Sequence, residues 1–66
     1  MQLTVNGVPR EVPDGVTVST LVAHLGLGDG PVAVEINGAV VPRARHGDHR
    51  VQPGDVVEIV HFVGGG

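Results

Sequence analysis

The chain has 66 residues, which leaves room for one hydrophobic core. It has no cysteine, which excludes a disulfide framework and a thiolate metal site. Four arginines, no lysine and seven carboxylates give a net charge of −3, and the single aromatic residue is Phe62. Neither the positive field nor the stacking surfaces of a nucleic-acid-binding protein are therefore expected. No apolar run approaches the roughly 18 residues of a membrane span, and the first residues lack the charged region of a signal peptide, so we expect a cytoplasmic protein that does not bind membranes.

A β-hairpin is predicted at the start of the chain. Leu3 and Val5 alternate with polar residues, as in a half-buried strand. Asn6-Gly7 is a residue pair favoured in two-residue type I′ turns, because both central positions need a positive φ. Residues 8–12 form the predicted return strand, and Pro9 marks it as an edge strand because proline cannot donate a ladder hydrogen bond.

A single helix is predicted over residues 17–26. Its apolar residues recur at i, i+3, i+4 and i+7: Val18, Leu21, Val22 and Leu25. Thr17 is the expected N-cap, and Gly26 stands where a left-handed C-cap belongs. The N3 residue is Thr20 rather than glutamate, so no capping box is expected. About two and a half turns are stable only if the apolar stripe packs on a sheet.

The second half of the chain predicts another hairpin and a last strand. Residues 32–36 are nearly all apolar, which indicates a central, covered strand. Asn37-Gly38 repeats the hairpin signal before a return strand at residues 39–41. Residues 42–50 are polar and expected to be irregular, and residues 56–63 form the last strand.

This order of elements predicts an α+β protein with one domain, residues 1–66. One helix over a four- or five-stranded mixed sheet buries the apolar stripe of the helix against one face of the sheet. The first and last strands can then lie side by side in the middle, and Pro9 and Pro42 blunt the edges. The expected layout is the β-grasp (ubiquitin-like) roll.

Neither a metal site nor catalytic machinery is predicted. The histidines have no ligand-like spacing and are expected in solvated or helix-surface roles: His24, His46, His49 and His61. Ser19 and Thr20 share a helix with His24, but no orienting carboxylate or oxyanion donor accompanies them. Glu35 and Glu58 are expected on strands, without a feature that pairs them as acid and base. We therefore expect a protein that is not itself an enzyme.

The most informative feature is the run Gly64-Gly65-Gly66 directly after the last strand. Glycine has no Cβ, so such a tail can pass through a channel too narrow for other residues. We expect a flexible tail at residues 64–66 that delivers the carboxyl group of Gly66 into the active site of another protein.

An exposed apolar patch is predicted beside this tail. If Val57 and Ile59 face the helix, alternation places Val60 and Phe62 on the opposite face of the sheet, whereas the alternative phase would bury them in the core; we favour the first phase. A sheet covered by one helix leaves that face open, and exposed apolar patches mark interaction surfaces. Most of the positive charge lies in residues 43–50, where it could steer a partner or form a solvated loop.

The tail and several internal motifs together resemble the ThiS family of sulfur carriers. The motifs are Glu58-Ile59-Val60-His61-Phe62-Val63 before the glycines, Gly54-Asp55-Val56-Val57, Asn37-Gly38 with Val41-Pro42-Arg43, and Asp14-Gly15-Val16-Thr17-Val18. The similarity spans the whole chain, although a terminal glycine pair alone is shared by all ubiquitin-like carriers. Many members have an aromatic residue shortly after the Pro-Arg pair, whereas Ala44-Arg45-His46-Gly47 follows here.

The resemblance implies a role in thiamin thiazole biosynthesis. A ThiF-like adenylyltransferase would use ATP and Mg²⁺ to adenylate Gly66, and a sulfur donor such as a cysteine desulfurase would supply sulfur for a thiocarboxylate. A ThiG-like thiazole synthase would accept that sulfur, and the chain itself would bind no cofactor. The implied partner-binding residues are Arg43, Glu58, Val60, Phe62 and Val63. The alternatives are another sulfur carrier, such as one like the small subunit of molybdopterin synthase, and a β-grasp interaction module that carries no sulfur.

Overall fold

The computed structural model describes residues 1–27 and 30–62. Its strands are β1 (Gln2–Val5), β2 (Val8–Glu11), β3 (Val32–Ile36), β4 (Ala39–Val41) and β5 (Val56–His61). The α-helix is α1 (Val18–His24), and a single 3-10 turn spans Arg43–Arg45. In these two ranges no helix has the length and apolar character needed to cross a bilayer.

The five strands form one mixed sheet in the order β2-β1-β5-β3-β4. β1 and β5 run parallel, while the pairs β1–β2, β3–β5 and β3–β4 are antiparallel. The predicted β-grasp layout is confirmed, including the central position of the first and last strands. Pro9 lies on the edge strand β2, and Pro42 directly follows the other edge strand, β4.

Both Asn-Gly pairs form the turns predicted for them. The φ angles are 50° at Asn6 and 79° at Gly7, and 52° at Asn37 and 83° at Gly38. Asparagine tolerates this left-handed region better than most residues, because its short polar side chain can hydrogen-bond locally. Each turn therefore closes its hairpin as the sequence indicates.

The helix is shorter than predicted and is capped more completely. It ends at His24, with Leu25 as C-cap and Gly26 at a φ of 74° beyond it. The expectation of no capping box is wrong. The Thr17 N–H donates to Thr20 Oγ1 at 2.7 Å, and the Thr20 N–H donates to Thr17 Oγ1 at 3.3 Å. A threonine hydroxyl thus accepts the hydrogen bond that glutamate accepts in the usual box.

The core lies between α1 and one face of the sheet. It contains Leu3, Val5, Val34, Ile36, Val57 and Ile59 from the strands and Val18, Leu21 and Val22 from the helix. The prediction that β3 is covered is right for only one face, since Ala33 and Glu35 are exposed on the other. Only one helix packs on the described sheet, so the opposite face stays open along its central strands.

The segment after β4 is held by a buried histidine. His46 is only 8% exposed, and its Nε2 atom lies 2.9 Å from the Val41 carbonyl oxygen. The Ser19 N–H donates to the His46 carbonyl oxygen at 2.8 Å, which ties the segment to α1. The expectation that every histidine is solvated or on a helix surface is therefore wrong for His46.

The amino terminus is anchored to the turn before α1. The Met1 ammonium donates to the Val12 carbonyl oxygen at 2.6 Å and lies 3.0 Å from Asp14 Oδ1 and 3.5 Å from Glu11 Oε2. The hydrogen bond to Asp14, assisted by the charges of Asp14 and Glu11, raises the pKa of this ammonium above its ordinary value of 8.0.

Candidate functional site

Strand β5 has one buried and one exposed face. Val57 is fully buried and Ile59 is 6% exposed, whereas Val56, Val60 and Phe62 are 46%, 57% and 52% exposed. The Phe62 N–H donates to the Pro31 carbonyl oxygen at 3.0 Å, so the strand pairing continues past β5. The predicted exposure of Val60 and Phe62 is confirmed. Their role in partner binding stays a prediction.

Residues on β3 and β4 extend this exposed surface. In the sheet register Val60 is opposite Ala33, Glu58 is opposite Glu35, and Glu35 is opposite Val40 on its other side. We call this surface the open face; it consists of Ala33, Glu35, Val40, Val56, Glu58, Val60 and Phe62. All seven side chains are exposed, and Val40 is 71% exposed.

The open face carries two like charges at its centre. Glu35 and Glu58 are directly opposite each other on neighbouring strands. The ion pairs among the described residues join Met1 to Glu11 and Asp14, and Arg45 to Asp48, so none involves Glu35 or Glu58. Like charges in opposite positions destabilise a sheet. The pair therefore costs the isolated fold some stability.

Asn6 fixes β5 from the β1 side. Its Nδ2 donates to the Ile59 carbonyl oxygen at 3.0 Å, and its Oδ1 accepts from the Ile59 N–H at 2.8 Å. The Asn6 backbone N–H also donates to the Val57 carbonyl oxygen at 2.9 Å. The side-chain amide thus extends the short parallel ladder by two hydrogen bonds.

Asn37 fixes the beginning of β5 from the β3 side. The Val56 N–H donates to Asn37 Oδ1 at 2.9 Å, and Asn37 Nδ2 donates to Asp55 Oδ1 at 3.0 Å. Asp55 Oδ2 in turn accepts from the Gln52 N–H at 2.8 Å, which orders the turn before the strand. Sequence reasoning assigned both asparagines only to turns, because contacts across the chain have no local signal.

The structure brings only part of the predicted site together. Glu58, Val60 and Phe62 share the open face. Arg43 is not part of it and lines a groove with Pro31 and Val32, which lie beside the end of β5. The predicted residues Val63, Gly64, Gly65 and Gly66 lie outside the described residues. Within the part of the chain that is described, no cluster of three His, Asp or Glu side chains could hold a metal ion.

Comparison with known proteins identifies a family and two similar structures. The model of the ThiS family matches residues 3–66. The crystal structure of the thiamine biosynthesis protein (ThiS) from Geobacter metallireducens is 39% identical, with a TM-score of 0.83 and full coverage of both chains. The NMR solution structure of a thiamine biosynthesis protein from Geobacter metallireducens is also 39% identical, with a TM-score of 0.82, and covers all of this chain and 88% of that one.

Two curated relatives are considerably longer than this chain. The thiazole synthase of Magnetococcus marinus is 42% identical over 66 residues, and the thiazole synthase of Paramagnetospirillum magneticum is 41% identical over 66 residues. Both alignments include the whole of this chain but only 20% of the relative. The chain thus spans about a fifth of the length of the curated relatives it matches.

Proposed function

The chain belongs to the ThiS family, and on this premise we propose that it is a sulfur carrier of thiamin biosynthesis. The observation that carries the proposal is the course of β5. Asn6 and Asn37 fix this strand in the sheet. Val60 is on its exposed face, and Phe62, just after the strand, is exposed as well. In the sequence the strand leads toward Gly64-Gly65-Gly66.

The proposed chemistry takes place at the α-carboxyl group of Gly66. A free carboxyl terminus has a pKa of about 3.5, so at neutral pH it is an anion that does not react with a sulfur nucleophile. Adenylation removes this obstacle: a carboxylate oxygen attacks the α-phosphorus of ATP, pyrophosphate leaves, and a glycyl adenylate forms. Attack by hydrosulfide then expels AMP and leaves a thiocarboxylate. If the sulfur arrives as a persulfide, the attack expels AMP and leaves an acyl disulfide, and a thiol reductant must then cleave its S–S bond to release the thiocarboxylate.

The proposed partners supply what the chain itself does not. A ThiF-like adenylyltransferase would bind ATP and Mg²⁺, and a cysteine desulfurase or a related donor would provide sulfur. A ThiG-like thiazole synthase would consume the thiocarboxylate. The names of the two curated relatives support this last partner. The proposed place of action is the cytoplasm, where ATP is available.

The chain's own contribution is recognition and delivery rather than catalysis. The open face offers an adenylyltransferase a surface with exposed valines and Phe62, which suits an interaction that excludes water. Glycines at positions 64–66 fit a narrow channel because they have no side chains. A carrier of this kind needs no catalytic residue of its own.

Intact-mass analysis tests the proposal. Wild-type protein ending at Gly66 is incubated with the adenylyltransferase, ATP and a sulfur source, in parallel with the Gly66 deletion and Gly65→Ala. Only the wild type should gain the mass difference between sulfur and oxygen. Removing Gly66 shortens the reach by about 3.3–3.6 Å, and the reacting atoms must approach within about 3–3.5 Å.

Gly65→Ala should impair adenylation because its methyl group must enter the channel, while the melting temperature stays unchanged. Equal conversion of the Gly66 deletion and the wild type would refute the assignment of the Gly66 carboxylate. A wild type that gains no mass under these conditions would refute the carrier function itself.

A further inference from the structure

We propose that Glu35 and Glu58 together receive one arginine or lysine side chain of the adenylyltransferase that activates Gly66. The inference rests on the proposed carrier function and specifies the chemistry of the surface that the partner must present. That surface is apolar around a single cation, which meets the two carboxylates at the centre of the open face.

The position of the two carboxylates is the first reason. They are opposite each other in the antiparallel pair β3–β5, so their Cβ atoms are about 4.5–5.5 Å apart. At this separation both carboxylates can contact one guanidinium or ammonium group. The attraction of both carboxylates to that cation then outweighs their mutual repulsion, which is uncompensated in the free chain.

The surroundings of the pair are the second reason. Val56 and Val60 flank Glu58 along β5, Ala33 is next to Glu35 on the same face of β3, and Val40 lies across from Glu35. A partner that covers these apolar side chains also removes water from the carboxylates. Charges that lose water without gaining an opposite charge oppose binding, so a partner that fits this face must supply a cation.

The chain does not supply this cation itself. Three of its arginines lie in residues 43–50, where Arg45 contacts Asp48 at 3.1 Å. Arg10 is on β2, which is separated from β3 by β1 and β5. Among residues 1–27 and 30–62 no ion pair satisfies Glu35 or Glu58.

Continuity with the tail identifies the occupant as the activating enzyme. Glu58 lies four residues before Phe62, on the strand that leads toward Gly66. An enzyme that holds the Gly66 carboxylate against ATP approaches along β5 and covers this part of the open face. Arginine suits the position best, because its planar fork can donate to two carboxylates at once.

The test compares Glu35→Gln, Glu58→Gln and the double variant with Asp48→Asn, which removes one negative charge on a different segment. Dissociation constants for the adenylyltransferase are measured by titration at low and high salt, and melting temperatures are measured alongside. Each glutamine variant should bind about tenfold more weakly at low salt. In the double variant the dissociation constant should depend much less on salt than in the wild type. Asp48→Asn should bind like the wild type.

Stability separates a binding role from a structural one. Relief of the like-charge repulsion should leave the melting temperature of each glutamine variant unchanged or raise it by about 1–5 °C. Affinities within twofold of the wild type would overturn the inference, as would weaker binding that merely follows a lower melting temperature. If the wild type still gains sulfur in the mass assay in either case, the carrier function stands while the cation-binding role of the pair falls.

Discussion

Asn6→Gly should destabilise the protein although glycine suits the backbone at this position. The φ of 50° at Asn6 is easier for glycine than for asparagine, so the turn itself is not harmed. The substitution removes the two side-chain hydrogen bonds to Ile59, at 2.8 and 3.0 Å. Its effect therefore reports mainly the loss of the side-chain amide that fixes β5, together with the greater freedom of glycine in the unfolded chain.

The expected loss follows from these contacts. Two hydrogen bonds contribute about 1–3 kcal/mol to the free energy of unfolding. Relief of left-handed strain returns up to about 1 kcal/mol, because asparagine is among the residues that tolerate this region. A net loss of about 1–2 kcal/mol corresponds to a fall in melting temperature of about 4–16 °C for a domain of this size.

Circular dichroism can follow the unfolding, and hydrogen exchange measured by NMR can locate the effect. The Ile59 amide should exchange faster in Asn6→Gly because its acceptor is gone, beyond the increase that lower global stability causes. Asn6→Asp is the matched variant: it keeps an acceptor for the Ile59 N–H but places an oxygen against the Ile59 carbonyl. Wild-type stability and wild-type Ile59 protection in Asn6→Gly would refute the assigned role.

Two further predictions concern the strand phase and the amino terminus. Phe62→Ala should weaken adenylyltransferase binding with a stability loss below about 1 kcal/mol, whereas Val57→Ala, at a fully buried position, should cost about 2 kcal/mol; the opposite ranking in urea unfolding would contradict the assigned faces. Because the folded state raises the pKa of the Met1 ammonium, its stabilising contribution is present below about pH 8 and is lost as pH rises through the raised value. Asp14→Asn should remove most of this loss between neutral and alkaline pH, and an unchanged slope of stability against pH would exclude the contact as its cause.

The sequence predicts the architecture of this protein well because its strongest signals are local. Alternation in β1 and β5, two Asn-Gly turns and one apolar helical stripe determine which elements form and which faces are buried. The phase of β5 is weakly determined by the sequence because both of its alternating sets are largely apolar, and the preferred phase, with Val57 and Ile59 toward the helix, correctly places Val60 and Phe62 on the exposed side.

The features that sequence reasoning missed depend on contacts between distant residues or on unusual residue types. Asn6 and Ile59 are 53 positions apart, so their hydrogen bonds leave no pattern in either segment. His46 is polar and stands among charged residues in the sequence. It can nevertheless be buried because its Nε2 atom forms a hydrogen bond with the Val41 carbonyl oxygen. Threonine is not a usual residue type at the N3 position of a capping box, yet the Thr20 hydroxyl oxygen is the acceptor that the box requires.

Because of the order of strands in the sheet, β5 is indispensable for folding. β1–β2 and β3–β4 are two hairpins that meet only through β5, and isolated hairpins are marginal in water. Joining β1 to β5 pairs residues 4 and 5 with residues 56 and 57, which requires closure of a long loop. Substitutions that disturb the buried face or the backbone pairing of β5 should therefore unfold the protein, whereas substitutions on its exposed face should leave the fold intact.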